Sequence, residues 1–188
     1  DYDPQETFVS LFVSQATRTP PAVAVADGEA AYTYRELDLL SDCLANTLDP
    51  LHHAARTSPF VALLLDRTRH FVVSVIGTQK IGCAYLSLDN EYPDERLAYM
   101  IEDSGAGILI TTHQMYEARI KSSTIELTNL QLVFVDDISL EDNPSPTPIN
   151  KALPTSPAYL IYTSGSTGVP KGCELCHFNL TAFLAAAQ

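Results

Sequence analysis

The chain has 188 residues, 46% of them hydrophobic, and a formal net charge of −12 with only 11 lysines and arginines. That length and apolar content support one sizeable core and exclude a disordered or fibrous chain. The acidic balance excludes nucleic acid as a partner, because duplex binding needs a basic face that releases counterions. The longest apolar runs, such as residues 60–65, are far too short to span a bilayer, so no membrane partner is expected.

In chain order, residues 6–15 place Phe8, Leu11, Phe12 and Gln15 at helical spacing and predict a short docking helix. Apolar runs at 23–26 and 30–33 flank Asp27-Gly28-Glu29, a turn signal that predicts a hairpin. Thr33 and Glu36 have the spacing of a capping box, and Leu37, Leu40, Leu44 and Leu48 follow on one helical face. From residue 60 the pattern alternates: a strand at 60–65, a helix at 69–81 ending at Gly82, and a strand at 84–89. Pro93, Asp94 and Glu95 suit a helix start and Gly105 suits its end. Strands follow at 108–111 and 132–135, with a helical segment at 114–121 between them. Such repeated βα units predict an α/β fold, a mostly parallel sheet covered by helices. Residues 136–157 break the rhythm with four acids and five prolines, and read as a solvated loop within the domain.

Four cysteines, at positions 43, 83, 173 and 176, fit a reducing compartment and, with an opening segment that lacks the basic flank of a signal peptide, a cytoplasmic location. Cys173 and Cys176 form a C-x-x-C without a second spaced pair, so a structural thiol pair is favoured over a redox or zinc site.

The stretch that carries chemistry is Thr163-Ser164-Gly165-Ser166-Thr167-Gly168-Val169-Pro170-Lys171-Gly172. It follows a short apolar strand at 158–162 and precedes a helix expected at 179–187. Gly165, Gly168 and Gly172 let backbone N–H groups approach an anion. The hydroxyls of Thr163, Ser164, Ser166 and Thr167 donate further hydrogen bonds, and Lys171 adds a point charge. The Walker A pattern fails, because Pro170 stands where its second glycine belongs and Gly172 where its magnesium-binding hydroxyl belongs. The dinucleotide fingerprint fails too, since Gly105-Ala106-Gly107 precedes a strand.

The run from Tyr162 to Gly172 resembles the phosphate-binding signature of the adenylate-forming superfamily, in the form used by adenylation domains of nonribosomal peptide synthetases. Thr33-Tyr34-Arg35-Glu36-Leu37 is similar to a T-Y-x-E-L signature of those domains, and Tyr92-Pro93-Asp94-Glu95-Arg96 to a Y-P-x-x-R signature. Residues 82–89 resemble a G-x-A-Y-x-P-x-D signature in which Ser87 replaces the proline. The resemblance implies that residues 1–188 are the N-terminal portion of a larger domain, ending after the phosphate loop, before the later acidic residues, the hinge and the C-terminal lysine. It implies activation of an amino or other carboxylic acid with ATP and Mg2+ to an acyl adenylate, then loading onto a carrier-protein phosphopantetheine thiol. Thr163, Ser164, Gly165, Ser166, Thr167, Gly168, Lys171 and Gly172 would hold the phosphates, with Lys171 also aiding the leaving group. His177, just past the loop, stands open between a packing role and one near the nucleotide. Phe178 and Phe183 are expected in the core. The 188 residues alone are expected to be inactive. The alternatives are a truncated non-catalytic structural or interaction module, or a piece of an acyl-CoA ligase or carboxylate reductase.

Overall fold

Local signals in the sequence set most of the element boundaries. In the computed structural model, which describes residues 3–28, 30–55, 58–125, 130–143, 145–164 and 170–186, Thr7 caps helix α1 (Phe8–Arg18) through a reciprocal box with Ser10. Strands β1 (Val23–Asp27) and β2 (Ala30–Thr33) pair antiparallel as a hairpin. The box expected at the next helix, α2 (Tyr34–Ala55), also forms. Glu36 N–H donates to Thr33 Oγ1 at 3.2 Å and Thr33 N–H donates to Glu36 Oε2 at 2.8 Å, which satisfies two otherwise orphaned amides. Leu37, Leu40, Leu44 and Leu48 are all buried, as their spacing requires.

Strand β3 (Phe60–Leu64), helix α3 (Arg69–Lys80), strand β4 (Ala84–Leu88), helix α4 (Asp94–Ser104) and strand β5 (Ile108–Thr111) follow. Asp94 and Glu95 occupy the first turn of α4, and Gly105 closes it with a φ of 66°, a conformation that glycine takes without steric cost. After β5 a short helix, α5 (His113–Met115), runs into a π-turn, Tyr116–Ile120, and then β6 (Gln131–Phe134). Strands β7 (Pro157–Ser164) and β8 (Pro170–Cys176) and helix α6 (His177–Ala186) complete the order.

The six-stranded sheet has the order β6-β5-β3-β4-β7-β8, parallel except for the β7–β8 pair. Side chains alternate between two buried clusters. Val61, Leu63, Ile108 and Ile110 face α2 and α3, while Ala62, Leu64, Leu86 and Leu109 face α4 and the π-turn. The direction of each crossover decides which face it covers. The move from β3 to β4 puts α3 on one face, and the return past β3 to β5 puts α4 on the other, as right-handed connections demand.

Residues 136–157 are irregular and largely exposed, as expected of a loop, but they are also anchored to the core. Ile138, Leu140 and Ile149 pack against the α2–α3 side of the core. Ile149 N–H meets Asp42 Oδ1 at 3.4 Å, Asn46 Nδ2 donates to Thr147 O at 2.7 Å, and Lys151 N–H donates to Lys80 O at 2.7 Å. The segment is irregular but tied down along α2, and this connection carries the chain from β6 to β7 on the far side of the sheet.

Candidate functional site

Parallel sheets leave a crevice where successive connections diverge to opposite faces, outside the carboxyl ends of the strands. Here the connections after β3 and β4 diverge in that way, towards α3 and towards α4. A cleft of about 660 Å³ lies at that point. Its floor is Tyr85, Ser87 and Ile161, one wall is Phe71 and Val72 of α3, and its rim carries Asp66, Arg67, Asp89 and Asn90. Ser87, which stands where the resemblance puts a proline, is exposed. The β1–β2 hairpin closes one side with Val25 and Ala26. It is held to α3 by Arg69, whose backbone N–H and Nη1 both donate to Asp27 at 2.7 and 2.6 Å. The Arg69 backbone bond holds the Asp27 carboxyl below its ordinary range.

The strand expected at 158–162 and the helix expected at 179–187 form as β7 and α6, and the departure lies between them, where residues 170–176 are a further strand, β8. β8 pairs antiparallel with β7, and the ladder runs to Ser164 opposite Pro170. Helix α6 begins directly after β8, at His177, two residues before the expected start. Polar, proline-led Pro170–Cys176 gives no strand pattern on its own, yet a proline as the first residue of an edge strand is the position where its missing N–H is tolerated.

The register decides where the expected residues stand. Thr163 pairs directly with Lys171, so the two side chains share one face of the sheet. That face also carries Ile161, the floor of the cleft. Both Thr163 and Lys171 are exposed, at the carboxyl end of β7 beside the cleft. Gly172 stands on the opposite face, across from Tyr162. A Cβ there would come within 3.1 Å of Leu160 Cδ1 and 3.4 Å of the Tyr162 ring, which gives this glycine a packing reason. Gly165, Ser166, Thr167 and Gly168 lie outside the described residues, as does the side chain of Ser164.

Three contacts moor the hairpin to α4. Tyr162 Oη donates to Asp103 Oδ2 at 2.5 Å, Tyr99 Oη donates to Pro170 O at 3.3 Å, and the two tyrosine rings meet edge to face at 6.4 Å. Burial, then the bond to Asp103, pushes the Tyr162 hydroxyl well above its ordinary value and keeps it a neutral donor. Sequence reasoning missed Tyr99, Asp103 and Tyr162 as hairpin supports; the four-residue spacing of Tyr99 and Asp103 on α4 was the available signal.

His177 is fully buried, and its Nδ1 accepts the N–H of Phe8 at 3.3 Å. It therefore joins α6 to the start of α1, and burial lowers its pKa to about 4. The packing alternative for His177 is the one its surroundings favour. Phe178 and Phe183, expected in the core, are instead 46% and 68% exposed. All four cysteines are free thiols. Cys173 and Cys176 lie three residues apart along one extended strand, so they point to opposite faces about 10 Å apart. That is beyond the reach of a disulfide. Burial pushes the Cys83 thiol up to about 12, which makes it inert.

Over residues 12–188 the chain matches the family described as AMP-binding enzyme. It is similar to Bacitracin synthase 3 of Bacillus licheniformis, 37% identical over 98% of this chain and 3% of the relative. It is also similar to Gramicidin S synthase 2 of Brevibacillus brevis, 35% identical over 95% of this chain and 4% of the relative. The chain thus spans only a small part of the length of these curated relatives. Among solved structures, the nonribosomal peptide synthetase FmoA3 in its alpha-methyl-L-serine-AMP bound form superposes with a TM-score of 0.83 at 27% identity, covering 98% of this chain and 20% of that one. Its AMPPNP bound form gives 0.80 at 28% identity, covering 97% and 18%. A match along nearly the whole chain, together with a cleft at the strand ends and a Gly/Ser/Thr/Lys hairpin beside it, means that the chain belongs to the AMP-binding enzyme family, as a segment similar to the adenylation domains of nonribosomal peptide synthetases.

Proposed function

We propose that these 188 residues are the N-terminal portion of an adenylation domain that activates an amino or other carboxylic acid with ATP. A carboxylate oxygen attacks the α-phosphorus, the bond to the β-phosphate oxygen breaks, and pyrophosphate leaves the acyl adenylate. A carrier-protein phosphopantetheine thiol then takes the acyl group and releases AMP. The observation that carries this reading is the direct Thr163–Lys171 pairing on the cleft face of the hairpin. It puts a hydroxyl and an ammonium group on the sheet face that carries Ile161 of the cleft, which supports a phosphate-binding role for the pair. Two anions must meet in this reaction, so positioning and charge neutralisation supply most of the rate. Thr163, Ser164, Gly165, Ser166, Thr167, Gly168, Lys171 and Gly172 are assigned to the β- and γ-phosphates.

Magnesium would share the phosphate charge. Among the described residues no group of three His, Cys, Asp or Glu side chains gathers to hold it, so no residue of this chain is assigned to the ion. Four free thiols favour a cytoplasmic location, and no helix among the described residues is long and apolar enough to cross a membrane.

Amino-acid-dependent exchange of labelled pyrophosphate into ATP tests the reading, on this chain and on a version extended through the rest of the domain. Exchange by the extended version supports it, and silence across a broad panel of amino and aryl acids overturns it. Lys171→Ala should lower exchange by about a hundredfold. Because Lys171 is exposed, its loss should leave stability within about 0.5 kcal/mol. Unchanged kinetics would remove Lys171 from the phosphate site.

A further inference from the structure

The backbone of the cleft rim is gripped from outside by Arg119. Arg119 sits on the π-turn Tyr116–Ile120, a rare element that inserts an extra residue and so turns the residues after it by about 100°. Its Nε donates to Asn90 O at 2.7 Å, its Nη2 to Tyr92 O at 2.6 Å, and its Nη1 to Asp94 Oδ1 at 2.8 Å. Asn90 and Tyr92 line the large cleft. Asp94 opens α4 and also accepts the N–H of Thr124 at 3.1 Å, so Arg119 ties the connection after β4 to the segment after β5.

A second cavity, of about 320 Å³, lies on the other side of this rim. It is lined by Gln114, Met115, Ala118 and Arg119, and it shares Asp66 and Asn90 with the large cleft. Those two side chains are hydrogen-bonded, Asn90 Nδ2 to Asp66 Oδ1 at 2.9 Å. The Asp66–Asn90 pair is therefore the partition between the two cavities, and the backbone of Asn90 is what Arg119 grips.

We propose that Arg119 is a positioning residue for the cleft: it fixes the 89–94 connection, and through Asn90 the partition that sets the width of the cleft mouth. The part of this proposal that concerns ligand binding rests on the adenylation function; the part that concerns the clamp does not. Tyr92 gains a second support from Arg96, whose guanidinium lies 3.8 Å over its ring, but that contact holds the ring and leaves the carbonyls of Asn90 and Tyr92 to Arg119.

The test uses Arg119→Met, which keeps the length and removes the donors, and Arg119→Lys, which keeps the charge but cannot span three acceptors. Hydrogen–deuterium exchange of the amides at residues 89–94 is measured on the 188-residue chain. Pyrophosphate-exchange kinetics are measured on the extended version. Arg119→Met should accelerate those amides about tenfold, without matching acceleration in the core strands. It should raise KM for ATP about tenfold with kcat within about twofold, and Arg119→Lys should fall between. Unchanged amide exchange overturns the clamp. Accelerated amides with an unchanged KM overturn the positioning role and leave Arg119 a structural tie. If the wild-type extended version exchanges no pyrophosphate, the adenylation reading is what fails, and the amide result still decides the clamp.

Discussion

Lys80 is 1% exposed, and all its donors are taken inside the molecule. Its Nζ lies 3.0 Å from Asp38 O, 2.7 Å from Asp38 Oδ1 and 2.8 Å from Asp42 Oδ1. Asp42 is itself 4% exposed; burial pushes its carboxyl above the ordinary carboxylate range, against the lowering pull of the Lys80 hydrogen bond. An ion pair of this kind contributes little net stability compared with apolar residues of the same volume, but removing one partner strands the other. Lys80→Met should therefore cost about 3–5 kcal/mol in urea unfolding, and adding Asp42→Leu should recover most of that loss. A single variant within about 1 kcal/mol of wild type would mean that Asp42 is already neutral in the fold. This network was not read from the sequence, although a signal existed. Lys80 follows Val73 by seven residues and Ile76 by four, which puts a lysine on the apolar stripe of α3.

At the level of elements, the β7–β8 hairpin joins the sheet to the site, and Gly172 is a position where a side chain would crowd its neighbours. Valine there drives its Cβ against Leu160 and the Tyr162 ring, the same ring that holds Asp103. Gly172→Val should destabilise by about 1–3 kcal/mol. In a chain of this size that lowers Tm by about 2–4 °C per kcal/mol, which thermal unfolding resolves. Gly172→Ala should cost less than Gly172→Val, since it adds only the Cβ; equal losses would point to backbone conformation instead of crowding. The hairpin also shows why sequence reading stops where it does. Helices and inner strands were legible because caps and periodicity are local: Thr33 with Glu36, Asp94 with Gly105, and the leucines of α2 each announce themselves within a few turns. Strand β8 was not, because its exposed residues need no apolar alternation and its partner supplies the order. The anchoring of the 136–157 connection was not legible for a related reason. Its anchors, Asp42, Asn46 and Lys80, lie more than 70 residues upstream in sequence. Arg119 has no local signal at all, since its three acceptors lie 25 to 29 residues away.

For the whole molecule, the closing contact is between its two ends: His177 at the start of α6 accepts from Phe8 at the start of α1. That bond requires Nδ1 to be an acceptor, so the ring is neutral with its proton on Nε2, an atom that is buried without a hydrogen-bond partner among the described residues. Desolvation lowers the folded pKa to about 4, against an ordinary 6.5 in the unfolded chain. Between those values the unfolded state binds the proton and the folded state does not, so stability falls as pH falls from about 6.5 to about 4. The full drop from this group is on the order of 3 kcal/mol. His70 shifts the same way, first by burial and then by the charge of Arg69, and adds to the slope. The lowered carboxyls of Asp27, Glu36 and Asp94 act later, since their contributions are lost only as pH falls below the ordinary carboxylate range. His177→Asn keeps an acceptor for the Phe8 N–H and removes the titration. Urea midpoints measured from pH 7 down to pH 4 should therefore fall less steeply in His177→Asn than in wild type, the remaining slope coming from His70 and, with opposite sign at its acid end, from the raised carboxyl of Asp42. Parallel pH profiles would mean that His177 takes up its proton at the same pH folded and unfolded, and the link between α1 and α6 would then have to hold at low pH without its Nδ1 acceptor.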